Sequence, residues 1–303
     1  MTANTVLSDI NEIQVGYFLN GMKWYDEQAR LACNERMKQA TSEEVADAIG
    51  KAKVMADMFL QWAKSNGYSG KVEEVFWTAR PGVLAKASGS TADSKKNPTD
   101  ILVRFKTGPA KGLLGLSAKA TKTNGDIGFK NPGIGTVDKS LNISLAKEYK
   151  NQEAQLVKKF NLNNSAATRK LDIRANPGLK THTETIGIQI LSAMRDVLMK
   201  RLLKMNNDEL LSYLLKDWMD AEVMFPPYVK VTGQGSKEPY KATVMDPTKN
   251  EKLDALAKYK ISLEKVGNES IGVKAGEKKI MKMRFKFESE KMASTVKMSG
   301  DPW

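Results

Sequence analysis

The stretch DILVRFKTGPAKGLLGLSAK, Asp100 to Lys119, decides the fold. Ile101, Val103 and Phe105 alternate with Asp100, Leu102 and Arg104, which predicts a strand from Thr99 to Phe105 with one apolar face. Gly108 and Pro109 make residues 106–111 a turn, and Gly112 to Thr121 reads as the next strand. So short a connection implies an antiparallel hairpin. Side chains two apart on a strand share a face, so Ser117 and Lys119 point the same way. If the strands pair near Asp100, a carboxylate, a hydroxyl and an ammonium converge at one end of the sheet.

Upstream of the hairpin the periodicity is helical. Ser8 or Asp9 is expected to cap a helix through Ile10, Ile13, Tyr17 and Phe18 that stops at Gly21, and a second helix covers Trp24 to Gln39. A third, capped by Ser42, carries Val45, Ile49, Ala52, Met55, Phe59 and Leu60 at helical spacing and ends at Asn66-Gly67. Val72 to Ala79 reads as a strand and residues 86–98 as a polar loop. Downstream, residues 122–136 are glycine-rich. Helices are predicted over 138–160 and 183–221, the latter broken at Asn206-Asn207 and carrying a core-facing stripe from Ile186 to Trp218. After Pro226-Pro227, strands are expected at 229–232, 242–245, 270–273 and 279–288, with 250–260 helical or irregular. The expectation is an α/β (α+β) fold: a central mixed β-sheet flanked by helices, a helical N-terminal part and a β-rich C-terminal part. The predicted division is 1–225 as the core and 226–303 as a β-rich lobe or a continuation of the same sheet.

Composition narrows the chemistry. Hydrophobic residues make up 41% of the 303, enough for a core, and Lys plus Arg exceed Asp plus Glu by 48 to 35. A formal charge of +13 attracts polyanions, nucleic acid first among them. With one cysteine, Cys33, there is no intramolecular disulfide and no multi-thiolate zinc site. With one histidine, His182, His-cluster metal sites and His-dependent triads are excluded. A metal here needs oxygen ligands, which selects Mg2+ or Mn2+. The N-terminus does not read as a signal peptide, and no apolar run reaches the length of a membrane span. A cytoplasmic protein with no membrane partner is the expectation.

An acidic residue at a strand start followed by (D/E)-x-K on the next strand is the signature of the PD-(D/E)XK nuclease superfamily. Pro98-Thr99-Asp100 and then Ser117-Ala118-Lys119 resemble it. Gly115-x-Ser117-x-Lys119 followed by Lys130-Asn131-Pro132-Gly133 is also similar to segments of nuclease-like proteins of tailed phages. The resemblance covers about residues 72–135. It implies a restriction-endonuclease-like, Mg2+-dependent endodeoxyribonuclease, located in host cytoplasm if phage-encoded. Asp100 would be a metal ligand, Lys119 would orient or activate water, and Ser117 would fill the second motif position. Ser117 departs from the pattern, because a hydroxyl supplies no negative ligand. A second acid must then come from elsewhere, typically an N-terminal helix. Glu12 is the first candidate, as catalytic and metal-binding residue, with Glu73 and Glu74 in reserve.

Contacts to a phosphate backbone are expected from Lys122, Lys130 and Asn131 in the glycine-rich loop, and from the 279–288 strand. There Met281, Met283, Phe285 and Phe287 share one face. Lys282, Arg284 and Lys286 share the other, about 7 Å apart, near the spacing of successive phosphates. Lys291 and Lys297 extend the set. A charged edge strand that resists aggregation is the other reading of that row. Trp24, Trp62, Trp77 and Trp218 are expected in the core and Trp303 at a frayed end. The partner is DNA, with RNA still open, and cutting both strands would need two sites, hence a homodimer. The competing readings are a non-catalytic nucleic-acid-binding phage accessory protein on a degenerate nuclease fold, and a protein whose charge serves an acidic protein partner.

Overall fold

The computed structural model describes residues 3–92, 97–122, 129–219, 221 and 224–303. The chain forms two compact units, each made of two separated stretches: Met1–Ile127 with Glu222–Asn250, and Gly128–Ala221 with Glu251–Trp303. The expected cut at 225/226 falls inside the first unit's second stretch. The fold is mixed α/β with two sheets, as the hairpin and its flanking helices predict.

Unit 1 opens with three helices, α1 (Ala3–Leu19), α2 (Glu27–Met37) and α3 (Ser42–Ser65). α1 begins before Ser8 and Asp9, so neither caps it. Asp26 caps α2 through the Gln28 and Ala29 N–H groups. Thr41, not Ser42, caps α3, in a reciprocal box with Glu44. Then come β1 (Ser69–Trp77), a short helix α4 (Val83–Ser88), β2 (Ile101–Thr107) and β3 (Leu113–Thr121). The helix α4 runs into the expected 86–98 loop, of which residues 93–96 lie outside the described set. β2 and β3 are the expected antiparallel pair, with Ile101 opposite Leu116 and Leu102 opposite Gly115. The second stretch supplies β4 (Tyr228–Gln234), parallel to β3, and β5 (Lys241–Met245). The sheet order is β1-β2-β3-β4-β5.

One face of this sheet buries Val75, Trp77, Ile101, Val103, Phe105, Leu114, Leu116, Val229 and Val231 under α1 and α3 with Met55 and Phe59. The opposite parity carries Leu102 and Leu113, packed with Leu84 and Ala87, and beyond them Asp100, Ser117 and Lys119. The hairpin alternation therefore sorts core from site. Of the expected core tryptophans, Trp77 and Trp218 are buried, but Trp24 is 36% exposed and rests against Tyr17 at 4.9 Å.

Unit 2 contains α5 (Ile134–Leu141), α6 (Leu145–Lys159), α7 (Ala166–Ala175), α8 (Pro177–Leu202) and α9 (Asn207–Asp217), then α10 (Glu251–Lys258) and an antiparallel sheet. Its strands are β6 (Ile261–Val266), β7 (Ser270–Ala275), β8 (Lys278–Phe287) and β9 (Val296–Pro302), in that order. The single helix expected over 138–160 is two helices, because Asn142 turns left-handed after α5. The long helix starts earlier, with Asn176 capping and Pro177 at its first turn, and breaks at Asn206 as expected. The stripe Ile186, Ile190, Met194, Leu198, Leu202, Leu210, Leu214 and Trp218 is buried in the core of this unit. His182 meets the Phe160 ring edge-on at 4.8 Å. β8 alternates as predicted but lies between β7 and β9, so it is not an edge strand.

Candidate functional site

Asp100 is fixed by the strands on either side of it. Its N–H donates to the Leu116 carbonyl at 2.9 Å, and its own carbonyl accepts from the Thr78 N–H at 3.0 Å. The turn before it is pinned as well. The Asn97 side-chain oxygen accepts from the Thr99 N–H and hydroxyl, while Asn97 Nδ2 donates to the Pro226 carbonyl at 2.9 Å. Opposite, a Cβ at Gly115 would collide with the Thr99 side chain and with Tyr228, so this strand position must be glycine. That gives the Gly115-x-Ser117-x-Lys119 pattern a structural cause: the strand comes close enough for three donors to meet one carboxylate oxygen. The Ala118 N–H reaches Asp100 Oδ2 at 2.8 Å, the Ser117 hydroxyl at 3.3 Å and Lys119 Nζ at 3.4 Å.

Glu12 belongs to this group. α1 carries it to the end of the sheet, where Trp77 Nε1 donates to its Oε2 at 3.4 Å. Burial, and after it the negative charge of Asp100, push the Glu12 carboxyl up to about 8; the Trp77 hydrogen bond and the Lys119 charge pull the other way. Burial also pushes Asp100 above its ordinary value, against the pull of Lys119 and the Ala118 N–H. A carboxyl whose proton affinity is raised by a second carboxyl in a half-dry site forms with it a pair that a cation would stabilise. Among the described residues no third acid, histidine or cysteine joins them as a possible ligand set. The reserve acids stand apart: Glu74 pairs with Arg104 at 2.7 Å and Glu73 is exposed.

A cleft of about 430 Å3 adjoins the pair, with Glu12, Lys119, Lys122, Asn11, Glu44 and Lys51 on its walls. Lys51 is 3% exposed and bonds Asp47 at 2.8 Å one helical turn away. Sequence reading missed it, because a lysine inside an amphipathic helix reads as solvated. It also missed Lys230. The parallel β3–β4 ladder sets Lys230 beside Ser117 and Thr232 beside Lys119, and both are buried. The alternation Val229-Lys230-Val231-Thr232 marks the polar parity of β4, yet nothing local says which strand it joins.

The expected phosphate contacts do not gather here. Lys122 lies on the cleft, whereas Lys130, Asn131, Lys282, Arg284, Lys286, Lys291 and Lys297 all belong to unit 2. Lys130 donates to the Lys216 carbonyl at 2.9 Å and Asn131 is exposed. Thr123 to Gly128 of the glycine-rich loop lie outside the described residues. On β8, Arg284 pairs with Glu269 at 2.7 Å; Lys297 on β9 pairs with Glu288; the stem of Lys291 crosses Gly187 of α8. No helix among the described residues is long and apolar enough to cross a membrane. No family model, curated protein or solved structure matches the chain.

Proposed function

We propose that unit 1 is a divalent-cation-dependent nuclease domain of PD-(D/E)XK type that hydrolyses DNA phosphodiester bonds. The observation that carries this reading is the convergence of Glu12 with Asp100 and Lys119 at one end of the sheet. The hairpin motif alone supplies a single carboxylate, and a helix residue nearly ninety positions away completes the pair. Two mutually repelling carboxyls fit a hard cation such as Mg2+ or Mn2+. When bound, that ion polarises the phosphodiester and lowers the pKa of a water.

The chain's own residues have separate tasks. Glu12 and Asp100 would hold the cation, Glu12 giving up its proton as positive charge arrives. Lys119, tethered to Asp100 at 3.4 Å, would orient the attacking water and offset charge developing on the phosphoryl oxygens. Ser117, fully buried, fixes the Asp100 carboxylate and ligates nothing itself. Water oxygen adds to phosphorus, the P–O bond to the leaving sugar breaks, and the leaving oxygen takes a proton. Lys122 on the cleft would meet the flanking backbone.

The test is incubation of plasmid and linear DNA with the protein in Mg2+, Mn2+ or EDTA. Asp100→Asn, Glu12→Gln and Lys119→Ala are each expected to slow metal-dependent cleavage at least about a hundredfold. Cleavage that persists in all three sinks the assignment. One observation favours a second reading, a non-catalytic nucleic-acid-binding protein on a degenerate nuclease fold. Ser117 occupies the motif's acidic position, and the site holds two carboxylates where three would bind a cation more firmly. Binding without cleavage in every metal selects it.

A further inference from the structure

The outer face of the unit-2 sheet combines features that no single strand reveals. β7 and β8 turn Ile271, Val273, Met281, Met283 and Phe285 into the core, so Gly272, Lys274, Lys282, Arg284 and Lys286 lie on the opposite face. Trp303 does not fray. Its indole crosses that face over Gly272, where a Cβ would strike the ring. Lys279 Nζ stands 4.8 Å and Lys274 Nζ 5.3 Å from the ring centroid. Some of the neighbouring charge is already neutralised: Lys274 by Glu264 at 2.6 Å, Arg284 by Glu269 and Asp301. Among the described residues, no carboxylate pairs with Lys279, Lys282 or Lys286. Unit 2 as a whole holds 27 Lys and Arg against 18 acids.

We infer that this face is a platform for single-stranded DNA, with a base stacked on Trp303 and the backbone held by Lys279, Lys282 and Lys286. A cationic row alone would serve a duplex as well as a single strand. An indole held among lysines adds what only an unpaired base can use, a π-face to stack on. A lysine–indole contact is weaker than a stacked base, so a base displaces the exposed Lys279 from the ring and leaves its ammonium free for a phosphate. Lys282 and Lys286, two strand repeats apart, track a backbone that runs along β8. The inference names the strand state of the DNA in the reading above, but it does not depend on cleavage.

The experiment measures anisotropy of fluorescein-labelled dT12 and of a 12-base-pair duplex with the full chain in EDTA, so no cutting occurs. Trp303→Ala is expected to weaken dT12 binding about tenfold or more, to change duplex binding little, and to be rescued largely by Trp303→Phe. Lys282→Ala with Lys286→Ala is expected to flatten the dependence of log K on log salt by about 0.7 for each phosphate that is no longer neutralised. Far-ultraviolet circular dichroism checks that each variant folds. Wild-type protein that ignores dT12, or Trp303→Ala that binds it as well as wild type, overturns the platform. Loss of cleavage in the Asp100 and Glu12 variants with dT12 binding intact separates this inference from the nuclease reading.

Discussion

Glu12 in unit 1 and Glu290 in unit 2 are the same side chain in opposite settings. Glu12 sits in a half-dry corner beside another carboxyl and is pushed up to about 8. Glu290 lies between Arg174 and Lys170, and the hydrogen bond from Arg174 in particular holds it down at about 2. The first arrangement costs stability and the second adds to it. Charge follows the same division: unit 1 carries a net +4 and unit 2 a net +9. The difference comes from base alone: unit 2 holds 27 Lys and Arg against 21 in unit 1, at nearly equal acid, 18 against 17. Strained electrostatics of the first kind are what a reactive or cation-binding site looks like, and those of the second kind are what a structural surface looks like.

The strongest way to break the comparison is through the cores, where the two units should not differ. Phe59→Ala in unit 1 and Phe285→Ala in unit 2 each remove a fully buried ring and are expected to cost about 3–5 kcal/mol. Urea unfolding measures it; a much smaller loss for one of them would mean that one unit is loosely packed.

Glu12→Gln tests the contrast directly, with an effect of opposite sign. A carboxyl whose folded pKa is raised from 4.5 to about 8 destabilises the native state progressively as pH rises through that window. The amide keeps an oxygen for Trp77 and removes the charge. It is expected to stabilise the cation-free protein by on the order of 2 kcal/mol at pH 8 and to do nothing below pH 4. Thermal melts across pH read this. Millimolar Mg2+ should narrow the gap by stabilising wild type alone. No gain at pH 8 would mean that Glu12 is already comfortable.

Glu290→Gln gives the smallest change, a loss of a few tenths to 1 kcal/mol near neutrality, as for a partly exposed pair. The carboxyl's folded pKa lies below its unfolded value. Its contribution is therefore complete above about pH 4.5 and disappears as pH falls toward 2. A melt series between those values should show wild type and variant converging.

What could be read in advance follows from the range of the contacts involved. The hairpin, the three leading helices, the break at Asn206 and the β8 alternation are written in neighbouring residues, and local periodicity exposes them. Glu12 was reachable only by chemical need, since one carboxylate with Ser117 left a motif incomplete. The strand β6 and helix α7 escaped because Ser262-Leu263-Glu264-Lys265 and Ala166 to Ala175 alternate weakly and mix polar with apolar residues. Lys230 escaped for a different reason: its partner strand lies more than a hundred residues upstream, and the parallel ladder that unites them has no local signature. Trp303 has no periodic partner, and only Gly272 in the folded sheet explains where it lies.

The β3–β4 ladder also sets an order of events in time. The chain leaves β3 at Thr121 and returns only at Tyr228. A ribosome must therefore deliver nearly all the helices of unit 2 before unit 1 can close its sheet. Until then the Gly115–Thr121 edge stands open, with Ser117 and Lys119 lacking their neighbour strand. Closing so long a loop delays the contact far more than it weakens it. The nascent chain thus carries Asp100, Lys119 and all the residues that line the cleft early, and gains the buried Lys230 and Thr232 that back β3 only after most of its length has been made.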